Sequence, residues 1–496
     1  MVELLDRHLQ HGNGERRCIV TPQGEWSYRQ LADTVNRLAN HLVHEMGMRP
    51  GNRVLLRAPN NAMMVASYLA VMKAGGIAVG TMPMLRASEL KTIIDKARIS
   101  HALCDVRLAD EARQALGNCP SLCQLAFFGD GPGTIDAALA KQSAEFKAWD
   151  SKADETCLIA FTSGTTGPPK GTVHFHRDIM AVCEGFSRQI LRPAKDDLFA
   201  GSPPIAFTFG LGGLVLFPLH AGAATFLLEK ASALELLAAI EKYRVSIVFT
   251  APTAYRAMLL EISNHDISSL RKAVSAGEHL PESTWRQFYE KTGIRIIDGI
   301  GSTEMLHIFI SAREEDVRPG STGRPVPGYA ARVVDEWGND VPVGEPGRLM
   351  VRGPTGCRYL ADDRQAQYVL DGWNITGDTF RMDEDGYFWH IARSDDMIVS
   401  SGYNISGPEV EDALLTHPAV KECAVLGVPD SGRGQIVKAF VVLADGVAAD
   451  EMLVEQLQIH VKQTIAPYKY PRAIEFRDGL PRTATGKLQR FRLREQ

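Results

Sequence analysis

Short apolar runs alternate with stretches of helical spacing along most of this chain. That alternation limits it to folds in which helices cover largely buried strands. Arg53–Ala58 (RVLLRA) reads as a strand, and Asn60–Ala74 as a helix stopped by Gly75 and Gly76. Thr156–Phe161, Val245–Thr250 and Ile294–Ile297 read as further strands. Ala233–Tyr243 and Pro281–Thr292 carry the helical spacing that precedes the last two. The pattern predicts an α/β fold, and 496 residues exceed one compact core, so more than one domain is expected. Beyond about residue 395 the texture changes to a small α+β unit of roughly 100 residues. Its expected elements are a strand pair (Glu422–Val428, Ile436–Leu443), an amphipathic helix (Met452–Ile465) and a further strand (Ala473–Phe476).

Composition narrows the function classes. Hydrophobic residues at 45% and charged residues at 23% exclude a largely disordered chain. A net charge of -5 gives no general reason to bind nucleic acid or an anionic membrane, so any phosphate recognition must be local. The eight cysteines are scattered, and only Cys119 and Cys123 lie close, which predicts free thiols in a reducing cytoplasm. Met1–Gln10 has no continuous apolar core, so no signal peptide is expected. Phe209–Leu228 is uncharged and nearly long enough to span a bilayer, but Gly210, Gly212, Gly213, Pro218 and Gly222 interrupt it. Buried turns in a core are the expectation there.

Five motifs carry chemistry. Thr162, Ser163, Gly164, Thr165, Thr166 and Gly167, continuing through Lys170 to Gly171, follow an apolar strand. Glycines let backbone N–H groups approach phosphate oxygens, the hydroxyls donate, and Lys170 supplies charge. The spacing is not that of a Walker A loop. Asp298, Gly299, Ile300, Gly301, Ser302, Thr303 and Glu304 also follow a strand. Thr303 is suited to a phosphate and Glu304 to Mg²⁺, although the same letters suit a helix start with an acidic first turn. Trp373–Asp378 offers a carboxylate at a turn, able to bridge ribose hydroxyls or to cap. The fourth motif runs from Ala392-Arg393-Ser394-Asp395 to Ser401-Gly402-Tyr403, and the fifth is Pro481–Lys487.

In this order the five resemble the adenylate-forming superfamily: acyl- and aryl-CoA synthetases, luciferases and peptide-synthetase adenylation domains. The resemblance runs from about Trp26 to Arg490. It implies a large N-terminal α/β domain, 1–394, and a small mobile C-terminal domain, 395–496, with Asp395 as hinge. It implies ATP, Mg²⁺ and coenzyme A, with an acyl-adenylate formed first and a thioester second. Thr162–Gly171 then handles the β- and γ-phosphates. Thr303 and Glu304 serve the α-phosphate and the metal, while Gly277, Glu278, Asp298, Gly299 and Ile300 lie beside the nucleotide. Asp378 and Arg393 hold the ribose, Gly402 and Tyr403 face the pantetheine arm, and Lys487 approaches the carboxylate and α-phosphate. Two positions depart from the broad pattern: Ile300, where an aromatic residue is frequent, and Ala392, where glycine is.

Asp298–Ser311, Gly353–Asp362, Met397–Glu411 and Pro467–Arg492 resemble benzoate-type and especially 2-aminobenzoate-CoA ligases. The resemblance implies an acid pocket drawn from Ala206, Phe207, Phe209, Gly210, Ile300, Gly301 and His307. Phe207, Phe209 and Ile300 suit flat apolar walls, and glycines at 210, 277 and 301 make room for a slab. His307 either hydrogen-bonds the carboxylate or an ortho substituent, or is a core histidine. His174 and His176 have no evident third metal ligand, which favours a structural or nucleotide-side role. The expected protein is a cytoplasmic aryl-CoA ligase, monomeric or homodimeric, binding a small aromatic acid and neither nucleic acid nor membrane. The alternatives are loading of a separate carrier protein and a non-catalytic adenylate sensor.

Overall fold

The computed structural model describes residues 2–162, 169–393, 396–400, 403–430, 433–482 and 488–494. Among the described residues the strands form four sheets. The first is six-stranded and parallel except at one edge, where Thr156–Thr162 meets Lys170–Phe175 antiparallel. The second has nine strands, parallel through Leu198–Gly201, Ile247–Thr250, Lys272–Ser275 and Ile296–Gly301. Antiparallel strands Ile308–Ser311 and Arg324–Pro325 close one edge of it. A third sheet of five antiparallel strands includes Trp373–Met382 and Phe388–Arg393. The fourth is built on the long pair Val420–Asp430 and Gly434–Leu443.

Local chemistry accounts for the helix between two of the central strands. Ser232 accepts from the Glu235 amide while the Glu235 side chain accepts from the Ser232 amide, a capping box that starts Ala233–Tyr243. Leu236, Leu237, Ala239 and Ile240 form its buried face, and Arg244, left-handed at φ 61°, ends it. The strand that follows, Ile247–Thr250, is buried throughout, as a parallel strand covered on both faces should be. The expected C-terminal elements are present as Val420–Asp430, Gly434–Leu443, Glu451–Thr464 and Ala473–Phe476.

Two motif settings differ from expectation. Trp373–Asp378 is not a turn: it opens the strand Trp373–Met382, which is kinked at Gly377 (φ 76°) where the ladder register shifts. No helix follows Asp298–Glu304 either. Ile296–Gly301 runs into a tight reversal and returns as Ile308–Ser311.

Phe209–Leu228 folds as short helices over Thr208–Leu211, Gly212–Leu216 and Phe217–Ala221, then the strand Ala224–Phe226, mostly buried. Among the described residues no helix is long and apolar enough to cross a membrane. All eight cysteines are free thiols, and only Cys123 is exposed. Gly210 is required by its backbone neighbours, since a Cβ there would come 2.1 Å from the Pro204 carbonyl oxygen. Gly210→Ala should therefore destabilise the chain by about 1–3 kcal/mol in urea unfolding; an unchanged midpoint would contradict this packing.

Candidate active site

The parallel strands of the central sheet end side by side. Thr250 pairs with Ser275, and Ser275 with Asp298, so the loops beyond them gather at one sheet end. That is where α/β folds bind ligands. Gly277, left-handed at φ 94°, and Glu278 follow Ser275; Gly299, Ile300 and Gly301 complete the strand that holds Asp298.

On one side of this end the structure brings Lys170 and Glu304 together. Lys170 Nζ lies 3.8 Å from Glu304 Oε1, with the two side chains 25% and 10% exposed. Beside them stands Tyr359, whose hydroxyl accepts from Lys170 Nζ at 2.9 Å and donates to Glu304 Oε1 at 2.6 Å. Burial first, and then the Glu304 charge, push the Tyr359 hydroxyl well above its ordinary range, so it remains a donor. The sequence reading missed Tyr359, because it lies 189 residues from Lys170. Thr162 pairs with Lys170 across the hairpin, and its hydroxyl is buried with no partner among the described residues.

His174 joins this hairpin to the reversal after Gly301. Its Nε2–H donates to the Thr303 carbonyl oxygen at 2.9 Å, and Nδ1 lies 3.7 Å from Asp178. Thr355 supports the same reversal by donating to the Met305 carbonyl at 2.8 Å. No group of metal-holding side chains occurs around His174 and His176 or elsewhere among the described residues.

Asp378 and Arg393 are cross-strand neighbours, with Arg393 Nη1 donating to Asp378 Oδ1 at 3.2 Å. Asp378 is buried while the arginine reaches outward.

The other side of the reversal is apolar. His307 is buried, with ring centroids of Phe217, Phe209 and Phe186 at 4.6, 5.6 and 5.6 Å. The Phe209 backbone lies close enough to act on the ring, although neither ring nitrogen makes a hydrogen bond of full geometry among the described residues. Burial lowers its pKa to about 3, so the ring is neutral. The Gly212 backbone lies against it, leaving no space for a side chain: a Cβ there would sit 2.3 Å from His307 Cδ2. Ile300 packs on the same apolar cluster, and Phe209 faces His307. Ala206 and Phe207 are half-buried at the start of the short helix, whose Leu211 amide donates to the Phe207 carbonyl. Gly301, like Gly210, is needed by nearby backbone, because a Cβ would come 2.6 Å from the His307 carbonyl oxygen. Phe186, Phe217 and Gly212 were not legible as part of this surround.

The C-terminal sheet meets this end through charge. Arg482 donates to Glu278 Oε1 at 3.2 Å and to Glu422, while Thr253 holds the other Glu278 oxygen. Next to it, His279 Nε2 lies 3.3 Å from Asp412 Oδ2, and its ring stacks on His390 at 5.1 Å. Burial alone would lower the His279 pKa, but Asp412, Asp298 and Glu411 together raise it. Lys487, Asp395, Gly402 and residues 163–167 lie outside the described residues, as does the Tyr403 side chain. Arg482 and Leu488, which flank the segment containing Lys487, bridge to one another.

A hairpin carrying Lys170, a reversal carrying Glu304 and an apolar surround of His307 at one sheet end, met by a small second unit, are the parts of a two-part AMP-binding enzyme. The family's main pattern, "AMP-binding enzyme", matches residues 5–359, and its C-terminal domain matches residues 409–487; the chain belongs to this family. It is 36% identical to the benzoate–CoA ligase of Thauera aromatica, over 99% of this chain and 95% of that protein. It is similar to the crystal structure of the anthranilate CoA ligase AuaEII in complex with anthranoyl-AMP. That match has a TM-score of 0.96 and 38% identity, covering 100% of this chain and 96% of the other. A benzoate CoA ligase from Burkholderia xenovorans LB400 aligns with a TM-score of 0.90 at 32% identity, covering 99% and 98%.

Asp298 provides a test of the electrostatics at the strand ends. Burial raises its pKa to about 7, only partly offset by His279, and its Oδ1 has no partner among the described residues. The folded state therefore binds this proton more tightly than the unfolded chain. That stabilisation is full below the ordinary carboxylate range and is lost as pH rises through about 7. Asp298→Asn should raise Tm over the unsubstituted chain more at about pH 8 than at about pH 5.5. An equal difference at both would contradict a desolvated carboxyl at this half-buried position.

Proposed function

We propose that the chain is an ATP-dependent aryl acid:CoA ligase acting on 2-aminobenzoate, forming an aryl-adenylate and then the CoA thioester with release of AMP and pyrophosphate. Membership of the AMP-binding enzymes and whole-length similarity to benzoate- and anthranilate-CoA ligases support the aryl-CoA ligase class. The observation that carries the ring substituent is His307. It is a buried imidazole kept neutral by an apolar, phenylalanine-lined surround, with the Phe209 backbone acting on it and neither nitrogen in a hydrogen bond of full geometry among the described residues. A neutral imidazole offers one N–H donor and one acceptor. Such a group suits an ortho amino substituent better than it would suit pairing with a carboxylate, which needs a cation. The aromatic ring then lies on Phe209 and Ile300.

On the phosphate side, Lys170 is held ready to meet the triphosphate, and Asp378 with Arg393 to hold the ribose. Glu304 suits Mg²⁺: it is a buried hard-oxygen donor, and a carboxylate keeps lone pairs beyond the one used by Tyr359. When bound, the ion supplies positive charge where the phosphates accumulate negative charge. A carboxylate attacking the α-phosphorus meets charge repulsion, and Lys487 supplies the second cation that offsets it. The thiol then attacks the adenylate carbonyl, for which a cation is unnecessary. Rotation of the unit from Asp395 onward, taking Lys487 away and bringing Gly402 and Tyr403 in, gives one site two configurations. The polar contacts of Glu278 and His279 with Arg482 and Asp412 are consistent with an interface that opens.

Thioester formation assayed across benzoate, 2-aminobenzoate, hydroxybenzoates and medium-chain fatty acids tests the substrate. The highest kcat/KM is expected for 2-aminobenzoate; preference for a fatty acid, or turnover only with a carrier protein as acceptor, would reject the reading. His307→Ala should narrow the preference for 2-aminobenzoate over benzoate by about tenfold, one hydrogen bond's worth. An unchanged ratio would refute that role. Lys487→Ala should slow adenylate formation by about 10²–10³ while sparing thioester formation from supplied aryl-adenylate. Equal loss of both half-reactions would count against the division.

A further inference from the structure

The proposed function uses Lys170 and Glu304 but gives no work to the side chain that joins them. The two are opposite charges in a largely buried setting, yet their nearest atoms stay 3.8 Å apart. A direct ammonium–carboxylate hydrogen bond closes to about 2.7–2.9 Å, and in a poorly solvated site attraction favours that closure. The Tyr359 hydroxyl contacts both from the side, at nearly a right angle, accepting from one and donating to the other.

Tyr359 is itself firmly placed. Its backbone bridges to Thr172 on the strand that starts at Lys170, and the neighbouring Leu360 amide donates to the Gly171 carbonyl at 2.8 Å. Its own amide donates to Gln365 Oε1 at 2.7 Å. Lys170 Nζ also lies over the Tyr359 ring at 4.8 Å and the Tyr368 ring at 5.9 Å, and the two rings meet edge-on at 5.6 Å. An ammonium over ring faces is held without a counter-charge. The tyrosines thus hold the lysine beside, rather than on, the carboxylate.

We propose that Tyr359 is a positioning residue whose hydroxyl, bonded to both, holds Lys170 and Glu304 short of direct contact, so that each stays available to the triphosphate and its metal instead of neutralising the other. The inference rests on the ATP-dependent reading above. Without the hydroxyl, Lys170 and Glu304 close into a direct ion pair, which must be broken whenever the triphosphate and its metal bind. AMP, which has no β- or γ-phosphate, makes no such demand.

The test is calorimetric titration of the full chain with two probes: AMP alone, and a non-hydrolysable ATP analogue with Mg²⁺. Tyr359→Phe keeps the ring and removes only the bridging oxygen. It is expected to bind the analogue about tenfold more weakly and AMP within about twofold of the unsubstituted chain. In turnover, KM for ATP should rise and the free Mg²⁺ needed for half-maximal rate should rise with it, while thioester formation from supplied aryl-adenylate is kept. Tyr368→Phe, which leaves the bridge in place, should retain both affinities. Unchanged analogue binding in Tyr359→Phe overturns the inference, as does equal weakening of both ligands, which marks a merely structural role. The same loss in Tyr368→Phe also overturns it, assigning the effect to the rings. An unsubstituted chain that binds AMP but no triphosphate analogue would instead remove the ATP reading itself, and this inference with it.

Discussion

The buried contact among Lys170, Tyr359 and Glu304 ties three distant chain segments into one corner. Lys170 comes from the hairpin edge of the six-stranded sheet, Glu304 from the reversal after a central strand, and Tyr359 from the segment that precedes the third sheet's long strand. Charges removed from water are tolerated only when they answer one another, so their mutual placement is fixed as tightly as any packed core. The His174 N–H to the Thr303 carbonyl adds a neutral tie between the same hairpin and the same reversal. This corner is therefore assembled by long-range polar contacts rather than by any one motif.

Three residues after Glu304 the environment inverts. Leu306 adopts a left-handed conformation at φ 68°, a costly choice for a residue with a branched side chain, and the chain delivers His307 into a surround of phenylalanines. One short reversal thus presents a carboxylate to the polar side and a neutral imidazole to the apolar side. The second lobe meets the site by a different physics again, through Glu278 and His279 against Arg482 and Asp412 rather than through an apolar seam. Polar contacts separate at lower cost than a continuous core.

Much of the fold was legible because periodicity reports burial. The helix Ala233–Tyr243 and the strand Ala473–Phe476 stand where the apolar spacing predicts them, and the switch from parallel strands to a small α+β unit is visible in the texture. Lys170, Glu304, Asp378 and Arg393 were legible as polar candidates, but their settings were not. Trp373–Asp378 reads as a turn because Gly377 and Asp378 are turn residues, whereas tertiary pairing with Gly347–Arg352 and Phe388–Arg393 makes it a kinked strand. Gly210 and Gly301 read as space left for a ligand, yet each answers a close backbone neighbour, a long-range fact with no local signature. Tyr359 and Asp412 escaped notice for the same reason, since each has a partner more than a hundred residues away. His307 was legible as a candidate, but its neutrality comes from Phe186, Phe209 and Phe217, which only the folded chain assembles.

The central claim is that one sheet end activates an aromatic acid by adenylation before any thiol takes part. Exchange of labelled pyrophosphate into ATP, followed with 2-aminobenzoate present and coenzyme A absent, measures that step alone. The account predicts exchange that depends on the acid and proceeds without the thiol. Exchange that requires coenzyme A, or the appearance of ADP and phosphate in place of AMP and pyrophosphate, would contradict it.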